Sequence, residues 1–213
     1  MKTMLLMICM AGLGPLMAGT PEHGTDPAMN TYTLVRSDQN ISIYTKWIPL
    51  NSTVSTRKVK AVFSCQAEVN EVLALVVNDA AVTRWMSNVD EFSRVKNVSE
   101  REWYCYIRYG LPWPISDQDC VLHYETERSA DGRSARVLVE GMPVYIPAKQ
   151  GVSRISHLEC EWIISRTGDH RVLVEYTQYS KQPPKCSRKL TDPLVQKAMI
   201  RSLAAFRDIV EQN

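Results

Sequence analysis

From residue 31 onward the apolar positions recur first with a period of two. Ile41, Ile43 and Thr45 alternate with Ser42, Tyr44 and Lys46, and the runs 31–34, 41–48 and 54–66 read as strands, with a turn at Asp38-Gln39-Asn40. Between 70 and 86 the period lengthens. Val72, Leu75, Val76, Ala80 and Trp85 fall at helical spacing behind Asn70 as a cap, with a break expected near Asn78-Asp79. Further strand-like runs follow at 101–109, 120–127, 134–141, 152–165 and 170–179, with Asp131-Gly132 and Thr167-Gly168-Asp169 as hairpin turns. After Pro183-Pro184 a last helix is expected over 192–211, where Asp192 caps and Pro193 takes the first helical position. Its stripe is Val195, Met199, Leu203, Phe206 and Val210, while Gln196, Arg201, Arg207 and Asp208 lie mostly away from it. Strands, a helix, more strands and a terminal amphipathic helix define an α+β domain over 31–213, in which one curved antiparallel sheet buries its apolar face against that helix.

The turns also predict register. If Asp131-Gly132 centres its hairpin, Tyr124 faces Val139 and Thr126 faces Val137; if 111–119 forms most of the preceding connection, Ile107 faces Leu122 and Cys105 faces Tyr124. The apolar sets then stay on one face. That register puts Cys105 and Cys120 four residues out of step, about 13 Å along the strand and too far for a disulfide. Further on, Leu158, Cys160, Trp162 and Ile164 share a face, and Val172, Val174 and Tyr176 are the inward set of the last strand, which requires an odd loop or a bulge at Gly168.

Composition excludes several classes. The 213 residues are 45% hydrophobic and 23% charged with a net charge of +2, which rules out disorder and gives no basic field for nucleic acid. The first residues read separately from the fold. Lys2 precedes an uncharged apolar run, Met4 to Ala18, interrupted by Gly12, Gly14 and Pro15, which is a secretory signal pattern and too short for a membrane helix. A leader over 1–19, cut between about Met17 and Pro21, and a polar spacer over 20–30 are expected, with an exported, periplasmic or secreted, product. Cys9 lacks the small residues that precede a lipidated cysteine. Five cysteines remain (Cys65, Cys105, Cys120, Cys160 and Cys186), an odd number without a Cys-x-x-Cys, and the four histidines make no paired spacing, so no metal site is expected.

Several runs carry a family resemblance: Leu34-Val35-Arg36, Asn40 to Lys46, Lys60-Ala61-Val62, Val72 to Asp79 with Trp85 downstream, and above all Tyr109-Gly110-Leu111-Pro112-Trp113-Pro114-Ile115-Ser116-Asp117-Gln118-Asp119. From about residue 31 to the end the chain resembles the steroidogenic-acute-regulatory-related lipid-transfer (START) family. That resemblance implies a helix-grip fold, a strongly bent sheet wrapped around the C-terminal helix, with an apolar tunnel that takes one lipid or other hydrophobic molecule and needs neither cofactor nor covalent chemistry.

The expected tunnel wall is Ile107, Tyr109, Leu122, Tyr124, Val139, Trp162, Ile164, Val174 and Tyr176 from the strands, with Met199, Leu203 and Phe206 from the helix. Tyr124 and Tyr176 offer hydroxyls either to a ligand or to the protein itself. Trp113 reads as packing that rigidifies its loop, with a cap on the cavity as the alternative. Asp117 and Asp119 read as turn residues bonding their own backbone, with an acid/base pair as the alternative. Arg108 and Arg154 read as solvent-facing, and Lys181, Lys185, Arg188 and Lys189 as a solvated basic loop, with transient contact to an anionic headgroup or membrane as the other option. Strand alternation sends His123, His157, Glu125, Glu159 and Glu161 to the outer face, so no catalytic residue is expected. The expectation is a monomeric, non-enzymatic lipid-binding or transfer protein. Its rivals are a cyclase- or hydrolase-like enzyme on the same scaffold and a partner-binding module whose cavity its own side chains fill.

Overall fold

A computed structural model describes residues 31–110, 116–181 and 188–212, with side chains from 192 onward in the last segment. The leader, the spacer, Trp113, Pro183-Pro184, Lys185 and Cys186, and the side chains of Arg188 and Lys189, lie outside the described residues.

The element order is β1 (Thr33–Asp38), β2 (Ile41–Pro49), β3 (Ser55–Cys65), α1 (Val69–Val76), a 3-10 turn (Asp79–Ala81), α2 (Val82–Trp85), β4 (Val89–Asn97), β5 (Glu102–Tyr109), β6 (Gln118–Arg128), β7 (Ser134–Gly141), β8 (Ser153–Arg154), β9 (Leu158–Gly168), β10 (Arg171–Ser180) and α3 (Arg188–Glu211). One open sheet runs β1-β2-β3-β10-β9-β7-β6-β5-β4, antiparallel throughout, with β8 added in parallel to β6. At one end of the sheet Gln39 and Asn40, both at positive φ, make the tight β1–β2 hairpin. Helix α3 packs against β2, β3, α1 and α2, burying Ala198, Met199, Ile200, Leu203, Ala204, Phe206 and Val210. This is the expected grip of a bent sheet on a terminal helix.

Several expectations hold in detail. The helical segment breaks where expected: Asn78 Oδ1 accepts from Ala80 N at 3.1 Å and starts the 3-10 turn. Tyr124 faces Val139 and Thr126 faces Val137. A bulge at the β9–β10 hairpin, where Arg171 pairs with Gly168 but Val172 with Arg166, turns Val172, Val174 and Tyr176 inward.

Others are corrected. Strand β4 was not foreseen: its Asp90, Glu91, Arg94 and Lys96 hide any alternation because it is an exposed edge strand. The run 152–165 divides into the short β8 and β9. The β5–β6 register is two residues from expectation, with Ile107 opposite Cys120, Cys105 opposite Leu122 and Trp103 opposite Tyr124, because the connection spans 110–117. A two-residue slip preserves the faces, and Cys105 and Cys120 remain free thiols. Helix α1 is capped by Glu68, whose backbone N–H donates to Glu71 Oε2 at 2.7 Å, while Asn70 sits inside the helix. Helix α3 begins at Arg188, so Pro193 lies in its second turn and removes one backbone bond, and Asp192 pairs with Arg57.

Candidate functional site

Strands β5, β6, β7, β9 and β10 present their inner side chains to α1, α2 and α3, and between these layers lies a largely enclosed cavity of about 60 Å³. Nine of the twelve expected wall residues line it: Ile107, Tyr109, Leu122, Tyr124, Val139, Trp162 and Tyr176 from the sheet, Met199 and Leu203 from α3. Ile164, Val174 and Phe206 do not. All three are fully buried, and Phe206 is held edge-on against Trp85 with ring centroids 5.1 Å apart, in an aromatic cluster with Trp162 and Phe63. They are core beneath the cavity floor.

The residues that sequence reasoning missed come mainly from the lid. Val76, Val82, Trp85 and Met86 close the cavity from α1 and α2, and Val195, Ala198 and Ser202 join them from α3. The helical spacing of Val72, Val76 and Trp85 marked an apolar face, but no local pattern shows that this face covers the sheet. Leu158, Cys160 and Gln178 complete the sheet side. Gln178 is the least legible, a polar residue only 2% exposed that accepts from the Tyr176 hydroxyl at 2.6 Å.

None of the described lining residues carries an ionisable acid or base of ordinary pKa. Burial pushes the phenols of Tyr109, Tyr124 and Tyr176 well above their usual value, so they remain neutral donors. Burial likewise pushes the Cys160 thiol up to about 12. The ionisable groups stand elsewhere. His123 Nε2 lies 2.9 Å from Glu102 and 3.7 Å from Glu125 on the outer face, its ring stacked on Tyr104. These three are the one His/Glu group among the described residues whose donor atoms lie close enough to share a cation. The hydrogen bond between His123 Nε2 and Glu102 Oε1 accounts for the closest of these approaches. Beside them an open outer groove of about 400 Å³ is lined by Glu125, Glu140, Glu159, Glu161, Lys58 and Arg136.

Two readings of single residues change. Asp119 is a β6 residue, fully buried, whose carboxylate takes Arg154 Nε at 2.6 Å and Nη2 at 3.0 Å; Arg154 also donates to the carbonyls of Pro143, Ile146 and Pro147. Asp119 is thus no turn residue and Arg154 no solvent-facing one: together they fasten the 142–155 segment over the outer face. Asp117 pairs with Arg108, 2.5 Å from its Nη2. Lys181 is ion-paired with Glu159.

A bent antiparallel sheet gripping a long terminal helix over a partly enclosed apolar cavity defines the helix-grip class. Comparison with solved structures makes the class specific: the chain has the START-like fold. It superposes on a STAR-related lipid transfer protein from Xanthomonas axonopodis with a TM-score of 0.73 at 24% identity, over 84% of this chain and 98% of that one. It superposes on human StAR-related lipid transfer protein 5 with a TM-score of 0.71 at 15% identity, over 88% and 89%. The Zhui aromatase/cyclase of Streptomyces sp. R1128 shares the fold at a TM-score of 0.54 and 10% identity, over 74% and 94%. An uncharacterized protein of Pseudomonas aeruginosa is 26% identical over 185 residues, 85% of this chain and 88% of its own length. No family model matches the chain.

Proposed function

We propose that this chain binds one hydrophobic molecule non-covalently between the sheet and α3, as a monomeric carrier. The observation that carries the reading is the partly enclosed cavity, whose described lining is apolar apart from neutral phenols, two indole N–H groups, a thiol, an amide and a hydroxyl. The START-like neighbours, lipid transfer proteins by name, support it. Removing apolar ligand surface from water gives about 25 cal/mol per Å², so burying roughly 400 Å² supplies a gross ~10 kcal/mol before ordering costs. Catalysis would need a positioned acid or base, and His123, Glu125, Glu159 and Glu161 sit around the outer groove instead.

A cavity of about 60 Å³ holds a few water-sized groups, whereas sites for lipid-sized ligands run to several hundred. Binding therefore requires the walls to part, and the flexible Met86 and Met199 on the lid are the side chains suited to moving. The same volume favours the second reading, a module whose cavity is filled by its own Trp85, Trp162 and Tyr176. Export, proposed on the leader pattern, and transient membrane contact to collect the ligand complete the first reading.

Native mass spectrometry of protein recovered from its host tests both parts. A start between about Met17 and Pro21 and a co-purifying apolar mass are expected. Retention of residues 1–18 overturns export. In titrations with the neutral sterol dehydroergosterol, folded Leu203→Trp should lose the binding that the parent shows; no binding by the folded parent assigns the filled-cavity module.

A further inference from the structure

The sheet wall of the cavity carries a polar row. Tyr124, Val139, Cys160 and Gln178 stand directly opposite one another on β6, β7, β9 and β10. The Tyr176 hydroxyl joins this row, 2.6 Å from Gln178 Oε1 and 3.5 Å from Cys160 Sγ. Tyr124 differs from its neighbours. Its side chain is nine-tenths buried and lines the cavity, its ring stacks on Trp103 at 5.2 Å, and its hydroxyl has no hydrogen-bond partner among the described residues. The Tyr109 hydroxyl on the adjacent strand reaches only the Met86 thioether, at 3.9 Å. A phenol that lines the cavity with no acceptor among the described residues is left for a ligand oxygen to take up.

The charges set the complementary limit. Among the described lining residues there is no Lys, Arg, His, Asp or Glu, so an ionised headgroup drawn into this cavity would lose its water and find no counter-charge. A neutral hydroxyl or carbonyl loses little and gains the donor it lacks.

Given the binding reading above, we propose that the occupant is an uncharged amphiphile: an apolar body with one neutral oxygen function, an alcohol or a carbonyl, hydrogen-bonded to the Tyr124 hydroxyl. Anionic lipids of the same tail are refused. Tyr124 selects the headgroup, and the apolar lid accepts the tail.

Trp85 and Trp162 lie in the wall and report occupancy through their own emission. The test titrates the full chain at about pH 8 with 1-decanol, decanoate and 1-bromodecane. Decanol should bind at least about tenfold tighter than decanoate, and decanoate should gain affinity between about pH 8 and about pH 5 as its carboxylate takes up a proton. Tyr124→Phe removes an oxygen with no hydrogen-bond partner among the described residues and keeps the stacked ring, so it should fold as the parent does. It should weaken decanol about fivefold and leave bromodecane unchanged. Equal binding of decanoate and decanol, or a Tyr124→Phe protein with unaltered decanol affinity, overturns the headgroup assignment and leaves the binding reading standing. Failure of all three compounds to bind the parent overturns the binding reading itself, and the assignment with it.

Discussion

The central strands β5, β6, β7 and β9 have two faces that differ in nearly every respect. Inward, Cys105, Ile107, Tyr109, Leu122, Tyr124, Val137, Val139, Trp162 and Ile164 are all at most 9% exposed, and the described cavity wall on that side is uncharged. Outward, the same strands hold Glu102–His123 at 2.9 Å and Arg136–Glu161 at 2.7 Å, and Tyr104 stacks on Tyr145 of the segment after β7. Pairs of that second kind contribute about 0–1 kcal/mol each, while each large side chain of the first contributes about 1.5–3 kcal/mol of burial. The titratable chemistry thus faces water, and the stability and the candidate site face the helix. A start from ionisable residues would have located the wrong face.

The largest effect expected from this division concerns thiols, which lie on the inner side. Burial pushes Cys65, Cys105 and Cys160 up to about 12 from 9.0. The reactive species is the thiolate, so at about pH 8 its population falls from roughly one in ten to roughly one in ten thousand. Native protein should react with a disulfide reagent about a thousandfold more slowly at these cysteines than unfolded protein, with the rate rising as pH rises. Denaturation without reductant should release Cys65, Cys105, Cys120 and Cys160 as free thiols. A peptide map linking Cys105 to Cys120, or rapid native labelling, would break the comparison at its inner face.

An intermediate effect is expected where the outer face is covered. Asp119 and Arg154 point away from the cavity, yet their side chains are only 1% and 10% exposed, because the 142–155 segment closes over them. Removing one partner of a buried pair leaves the other charge uncompensated, so Arg154→Met should cost about 3–5 kcal/mol in urea denaturation, against at most about 1 kcal/mol for His123→Ala on the open part of that face. The double variant Asp119→Leu/Arg154→Met should recover much of the loss. Equal, small losses for Arg154→Met and His123→Ala would show that cover does not matter and that only the direction of the face does.

What could be read in the sequence follows the same division. Inward strand residues repeat every second position, so the seven wall residues on the strands and the register at Tyr124–Val139 were legible. Strand β4 has no fully buried residue, only Val89 and Phe92 packed partly on the core, so alternation is weak and it was not seen. The β5–β6 pairing slipped by two because faces repeat at that interval, leaving the register free until the connection's length is known. Val82, Trp85 and Met86 reach the cavity only through tertiary packing. Asp119 and Asp117 lie beside a turn-like run, and nothing local distinguishes a carboxylate that bonds its own loop from one that meets Arg154, thirty-five residues away.

The smallest expected effect lies at the far end of the outer face, at the β6–β7 hairpin, where Asp131 is exposed. Its carboxylate accepts from the Ser129 hydroxyl at 2.6 Å and from the Arg133 backbone N–H at 3.0 Å, and these bonds, Ser129 first, hold its pKa below the ordinary aspartate value of 3.8. A group depressed in the folded state contributes stability that is complete above its unfolded pKa and disappears as pH falls through the folded one. The window is therefore below 3.8. At neutral pH, Asp131→Ala should lower the urea midpoint slightly, through the lost turn bonds, and the gap from the parent should close as both proteins are taken down through that window. Binding of any cavity ligand should be unchanged, since the hairpin tip is not among the described lining residues. A gap that stays constant at all acidic pH values would mean that the charge on Asp131 takes no part in holding the turn, and a change in ligand affinity would mean that the two faces are coupled through β6 and β7.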